Sequence, residues 1–255
     1  MPPHHYQRLF CAACLFGLLT GCASVDGARD PVDPWEGFNR EVYRFNDDLD
    51  TKIARPLAEV YVEYIPSPAR TAVTNFFSNL DDLVVIINGL LQLKIEQALN
   101  DTTRFTMNTT LGLAGLVDIA TPAGLPKHDE DFGQTLGAWG VGPGPYLVLP
   151  FLGPRTVRDT VGWYADAQVD VLWGGFEGNA RWGALTLKYV NLRANLLGVS
   201  RVMEQAAVDP YSFMRDAYLQ RRQNLVYDGN PPRERFEDFD DDFRLPPQHQ
   251  PEPAR

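Results

Sequence analysis

Residues 33–56 read Asp33-Pro34-Trp35-Glu36-Gly37-Phe38-Asn39-Arg40-Glu41-Val42-Tyr43-Arg44-Phe45-Asn46-Asp47-Asp48-Leu49-Asp50-Thr51-Lys52-Ile53-Ala54-Arg55-Pro56. The stretch announces a helix. Asp33 is a residue type that caps free N–H groups, Pro34 suits a first helical position, and Glu36 stands three residues after the cap. Apolar residues follow at Trp35, Phe38, Val42, Phe45, Leu49 and Ile53, spaced three and four apart, which paints one helical face. The helix is predicted to end before Pro56.

The same grammar recurs along the chain. Helices are predicted at about 68–78, 80–99, 101–116, 155–170, 181–198 and 209–227, with Gly and Pro between them. Asp209-Pro210 repeats the device of Asp33-Pro34. Period-two alternation is scarce apart from apolar pieces near 146–152, so an all-α body is expected, and 255 residues at 44% hydrophobic suit one domain. From Gly229 onward the chain turns to Pro and acid, including RERFEDFDDDFR. That tail is expected to be disordered, either solvated or docking its aromatics on a partner.

The other end is an address. Residues 1–8 hold one Arg, residues 9–19 (LFCAACLFGLL) are apolar, and Leu19-Thr20-Gly21-Cys22 closes the segment. The run is too short to span a bilayer and reads as a secretory signal. LTGC matches the bacterial lipobox, in which the cysteine thiol takes a diacylglyceryl group. Cys11 and Cys14 fall within the signal, so the mature chain keeps Cys22 alone and forms no internal disulfide. Several acyl chains anchor a protein stably. Ala23 replaces the aspartate that would resemble an inner-membrane retention signal, which favours the outer membrane.

Charge excludes other classes. The formal charge of −10 becomes −11 once residues 1–21 are removed, because they hold Arg8 and no acid. Nucleic acid is therefore not a partner, and adhesion to anionic lipid by charge alone is disfavoured. Catalytic signatures are also missing. The mature chain has only His128 and His249, no G-x-S-x-G elbow and no H-E-x-x-H. His128-Asp129-Glu130-Asp131 reads as a solvated or capping turn, not a metal site, and Asn46-Asp47-Asp48 and Asp81-Asp82 read as solvated faces or helix starts.

Two apolar stretches are ambiguous. Leu83 to Leu93, broken by Asn88 and Gly89, and Leu111 to Leu125 are each either core or membrane interface. Gly140-Val141-Gly142-Pro143-Gly144-Pro145-Tyr146 is stiff at each proline and free at each glycine, so it is either a hinge or a rigid connector.

Several ordered motifs together carry a resemblance. They are Asp33 to Arg40, Tyr43 to Asn46, Pro66-Ser67-Pro68-Ala69-Arg70, Arg104-Phe105 with Asn108-Thr109, and Asp131-Phe132-Gly133-Gln134-Thr135-Leu136-Gly137. Gly140 to Pro150, Gly153-Pro154-Arg155 with Arg158-Asp159, and Asp209-Pro210-Tyr211 complete the series. Over roughly residues 22–228 the chain resembles the MlaA family, also called VacJ, of outer-membrane lipoproteins in the Mla lipid-asymmetry pathway.

The resemblance implies a single ring-shaped all-α domain, its amphipathic helices lying in the membrane interface around a central polar channel. It implies a lipid-anchored protein on the periplasmic side of the outer membrane that takes mislocalised phospholipid from the outer leaflet. The phospholipid passes to a periplasmic lipid carrier similar to MlaC, with an outer-membrane porin trimer as scaffold. Under it the apolar stretches shift toward lipid contact, Gly142 and Gly144 become candidate gate hinges, and Phe45 and Asn46 fall in a segment that sets the channel's state. No catalytic residue, metal or cofactor is expected beyond the acyl lipid on Cys22. The layout is then a signal peptide at 1–21, a lipidated tether at 22–32, a helical domain at 33–228, and an acidic, Pro-rich tail at 229–255. A structural envelope lipoprotein and a periplasmic lipid hydrolase remain the alternatives.

Overall fold

The computed structural model describes residues 30–232. The signal segment, Cys22 and the acidic tail from residue 233 lie outside the described residues, as do the side chains of 201–206.

Helix α1 spans Glu36–Leu49, but it does not stop at Pro56 as predicted. A π-helical turn, Asp50–Ala54, leads directly into α2, Arg55–Tyr64. Pro56 lacks an N–H, and its ring collides with the carbonyl four residues back in a regular α-helix. Widening the preceding turn by one residue relieves that collision, and Arg55 N–H reaches Asp50 O instead. Asp33 also departs from expectation. It is buried and caps nothing with its side chain; its carboxylate accepts from Asn39 Nδ2 at 2.7 Å and from the Tyr211 hydroxyl.

Helix α3, Ser67–Leu91, runs through Asp81-Asp82 without a break, merging two predicted helices. Both acids therefore sit mid-helix, and Asp82 is buried against Lys127 and Arg104 instead of solvated. The predicted 80–99 helix divides at Leu93, whose φ of 61° turns the chain into α4, Ile95–Thr110. Gly89 lets the two helices close, since a Cβ there would touch the Ala98 Cβ at 3.5 Å. Residues 111–131 contain no helix; Leu113 and Ala114 take positive φ at an exposed apolar tip.

Helix α5 (Phe132–Ala138) was not predicted. Asp131 caps it, accepting from Gln134 N at 2.8 Å. The apolar pieces near 146 form a small antiparallel hairpin, β1 (Tyr146–Leu149) with β2 (Gly153–Thr156). Helices α6 (Val157–Val169), α7 (Val171–Gly174), α8 (Gly178–Ala206) and α9 (Pro210–Val226) follow. Asp209 caps α9 as the sequence indicates, accepting from Tyr211 N at 3.1 Å.

The packing closes a circuit. α2 lies on α8, α8 on α3, α3 on α5, α5 on α9, α9 on β2, and β1 on α1. The result is a ring with two small apolar cores, one around Phe77, Leu172 and Leu185, the other around Tyr146, Val148 and Tyr211. Large apolar side chains are far more often exposed than buried, and among the described residues no helix is long and apolar enough to cross a membrane.

Asn39 tests what closes the ring. It is fully buried and donates to Asp33 Oδ1 and Tyr146 O while accepting from Val148 N at 2.9 Å. Asn39→Ala orphans those groups and is expected to cost about 3 kcal/mol, a fall in Tm of roughly 6–12 °C. Lys52→Ala, which removes the exposed pair with Asp48, serves as the control and should move the melt by no more than about 1 kcal/mol.

Candidate functional site

A cavity of about 490 Å³, open to solvent, is walled by α3, α6, α7, α8, α9 and the 127–134 segment. That volume lies in the ordinary range of a small-ligand pocket.

Helix α3 supplies the most telling wall. Asp81 lines the cavity, Asp82 and Asn88 are almost wholly buried, and Ile87, Leu90 and Leu91 are exposed. Toward its C-terminal end that arrangement departs from an ordinary soluble helix, whose apolar stripe faces the core, whereas Phe77 earlier in the helix packs into an apolar core in the ordinary way. The apolar run at 83–93 therefore resolves to both readings at once: Val85 packs inward, and most of the leucines are exposed. The tip at Leu111, Leu113, Leu116 and Val117 is likewise exposed.

Helix α6 faces the cavity with Trp163, Asp166 and Ala167, at helical spacing, and Asp170 follows just past its end. Asp166 accepts from Phe132 N and Asn88 Nδ2, both at 2.9 Å. Burial pushes its pKa upward despite those bonds. Across the cavity, Lys188 of α8 donates to Asp81 at 2.6 Å; burial still raises the Asp81 carboxyl above the ordinary range.

Arg222 of α9 is the largest buried charge on the wall. It donates to Asp131 at 2.5 and 2.9 Å and to Asp159 at 3.0 Å, and Asp159 also accepts from Tyr218. Burial alone would lower the guanidinium's pKa, but the bonds with Asp131 hold it above its ordinary value. The two carboxyls are held below theirs: burial opposes ionisation in both, and Arg222 outweighs it. Gly133 is needed here because a Cβ would stand 2.7 Å from Asp159 Oδ1 and 2.9 Å from the guanidinium.

The expected His128–Asp131 turn divides its duties. His128 Nδ1 meets the buried Asp101 at 2.8 Å, and Glu130, also buried, takes Gln92, Lys94 and Gln97. Among the described residues no group of His, Cys, Asp and Glu could hold a metal.

Phe45 and Asn46 do not line the cavity. Asn46 instead grips the hairpin turn, donating to Leu149 O at 2.9 Å and accepting from Phe151 N at 2.8 Å, while the Phe45 and Phe151 rings meet edge to face. The 140–145 strap connects α5 to that hairpin. Arg158 N donates to Pro143 O and Val157 N to Pro145 O, each at 3.1 Å. Gly144 has φ +66° and a Cβ there would press on Val157 Cβ at 3.3 Å, whereas Gly142 lies in open space with no positive φ.

Sequence reading missed Asp166, Asp170 and Arg222, which lie on or at the ends of helices with weak periodicity. Asn88, the polar break inside an apolar run, was the available signal for the inward face.

Comparison with known proteins agrees with this architecture. Residues 31–225 match the family described as MlaA lipoprotein. The intermembrane phospholipid transport system lipoproteins MlaA of Shigella flexneri and Escherichia coli K12 are each 41% identical over 229 residues, covering 87% of this chain and 90% of theirs. The Haemophilus influenzae counterpart is 34% identical over 83% of this chain and 87% of its own. A solved structure described as the structural basis for maintenance of bacterial outer membrane lipid asymmetry superposes with a TM-score of 0.68 at 36% identity, over 76% of this chain and 98% of that one. The chain is a member of the MlaA lipoprotein family.

Proposed function

We propose that the protein is a lipoprotein of intermembrane phospholipid transport, acylated at Cys22 and held at the periplasmic face of the outer membrane. Its ring takes mislocalised phospholipid from the outer leaflet through the central cavity and passes it to a soluble periplasmic carrier, with a porin trimer as its seat in the membrane. The carrying observation is the distribution of polarity: charged and amide side chains gather at a cavity between the helices while large apolar side chains cover much of the outside.

The physical rationale is a barrier. An unpaired polar group in hydrocarbon costs several kcal/mol, so a headgroup leaves its leaflet readily only along a polar path. Exposed apolar patches of this extent mark a membrane or partner contact. No bond changes in such a transfer, and the family is one of transport lipoproteins, not of enzymes. Direction then comes from the receiving carrier's affinity, because binding free energy alone moves a lipid down its gradient.

Deletion of the protein should raise outer-leaflet phospholipid several-fold, read by surface labelling of intact cells, and an unchanged level refutes the proposal. Cys22→Ala is expected to release the protein from the membrane fraction and reproduce the deletion phenotype.

The strap makes a separate prediction. Gly144→Ala forces a side chain into the left-handed region and should cost about 1–2 kcal/mol. Gly142→Ala should leave the melt unchanged or raise stability by about 0.4–1 kcal/mol. If the strap is the gate hinge, the double variant Gly142→Ala plus Gly144→Ala also changes outer-leaflet phospholipid content. A folded double variant with wild-type lipid distribution removes the hinge role.

A further inference from the structure

Two arginines beside the cavity lack what the other described cations have. Each remaining lysine or arginine with a described side chain bonds or pairs with an oxygen atom. Arg70 and Arg155 donate no side-chain hydrogen bond and form no salt bridge among the described residues. Both are half-buried, and in each the Nε is shut off from water without an acceptor while the terminal nitrogens stay open. A buried N–H without a partner is costly and rare in folded proteins. Want of acids is not the cause, since the chain holds 33 Asp and Glu against 23 Lys and Arg.

Both guanidiniums adjoin residues that line the cavity. Arg155, on β2, lies 5.5 Å from the ring centroid of Trp163, a wall residue of α6. Arg70, on α3, stands one helical turn before Thr74, another wall residue, on the same face of the helix. Its guanidinium is also near Tyr61: burial raises that hydroxyl's pKa, and the positive charge of Arg70 pulls it back. Tyr61 donates to Asn191 Oδ1 at 3.1 Å, Asn191 Nδ2 donates to Thr74 Oγ1 at 2.7 Å, and Thr74 donates to Arg70 O at 3.1 Å. This relay is neutral, and none of its oxygens accepts from the guanidinium.

Local stability does not explain Arg70 either. It is the fourth residue of a 25-residue helix, where the helix dipole favours an anion and opposes a cation. The wall's lysines are no substitute for the two arginines, because Lys127 and Lys188 are held by Asp82 and Asp81.

A guanidinium with free N–H groups fits an oxyanion, above all a phosphate, which it binds in a two-point fork. Resting on the transport reading above, we propose that Arg70 and Arg155 are the cavity's phosphate contacts, receiving the phosphodiester group of glycerophospholipid from two walls. The phosphodiester is common to all such lipids. The site therefore separates phospholipid from phosphate-free lipid and is indifferent to what the headgroup ends in.

The test incubates the full acylated protein in mixed micelles holding equal amounts of phosphatidylethanolamine, phosphatidylglycerol and diacylglycerol. Lipid retained after repurification is identified by native mass spectrometry. The two phospholipids should be retained alike, each roughly tenfold over diacylglycerol, equivalent to ~1.4 kcal/mol. Arg70→Gln and Arg155→Gln should each lower phospholipid retention several-fold, with the Tm within about 3 °C of wild type because neither side chain bonds another element. Arg70→Lys keeps the charge without the fork and should recover part of the loss. Arg44→Gln, which breaks an exposed pair with Glu41, is the control and should change nothing. Wild-type retention of diacylglycerol equal to that of the phospholipids overturns the subsite and leaves the transport reading standing, as does a folded double variant, Arg70→Gln plus Arg155→Gln, with wild-type retention. If inorganic phosphate stabilises the wild type, and the double variant loses that stabilisation while retaining lipid as before, the ligand is the free ion and the lipid assignment falls. Retention of no lipid by the wild type overturns the subsite and the transport reading together.

Discussion

Asn88 accepts from Thr135 Oγ1 at 2.8 Å and donates to Asp166 at 2.9 Å, so one side-chain amide ties α3 to α5 and α6. The rest of the structure depends on bonds of this kind. A ring whose outer face is largely apolar has little hydrophobic surface left to bury inside, and the two apolar cores are correspondingly small. Directional polar contacts must hold the helices in place. A net hydrogen bond contributes only about 1 kcal/mol, yet orphaning a buried partner costs 1–3 kcal/mol, as an order of magnitude. The ring's shape is therefore enforced less by what its polar contacts add than by what any other arrangement would leave unpaired.

Closure of the ring is a long-range affair. Arg193 pairs with Asp50 at 2.6 Å, Arg40 with Asp209 at 2.7 Å, and the Tyr211 hydroxyl with Asp33. Each joins the N-terminal segment, residues 33–50, to the last third of the chain. Loop-closure entropy rises only slowly with length, so such distant partners are affordable. Their placement also explains Pro56. Asp50 opens the π-helical turn that the proline requires, and Arg193 binds its carboxylate, so α8 grips the point where the long helix is irregular.

Legibility in the sequence followed the same physics. The cap at Asp209, the helical face of α1 and the predominance of helix all depend on neighbours close in the chain, which periodicity and capping rules capture. The failures were tertiary. Asp82 looked like a solvated helix start because nothing nearby in sequence announces Lys127 or Arg104; Asp33 looked like a cap because Tyr211 lies 178 residues away. The inward stripe of α6 escaped notice because Trp163 and Ala167 share it with Asp166, so hydrophobicity alone shows no face. The family motifs supplied what local rules could not, namely the ring-shaped helical architecture.

The segments singled out for gating turn out to be mechanically joined. Strand β1 cannot drift: Tyr146 N donates to Val32 O, Asn39 holds the backbone at Tyr146 and Val148, and Asn46 holds Leu149 O. Helix α6 is equally fixed at its start by Thr156, whose side chain caps Asp159 N. Displacement of the 140–145 strap must then be absorbed between these anchors, where Gly142 has free space and Gly144 already occupies a conformation that other residues resist. Asn46 grips the far end of the same hairpin. Neither Phe45 nor Asn46 lines the cavity, so any effect of a change there has to pass through β1 and depends on the hairpin remaining paired.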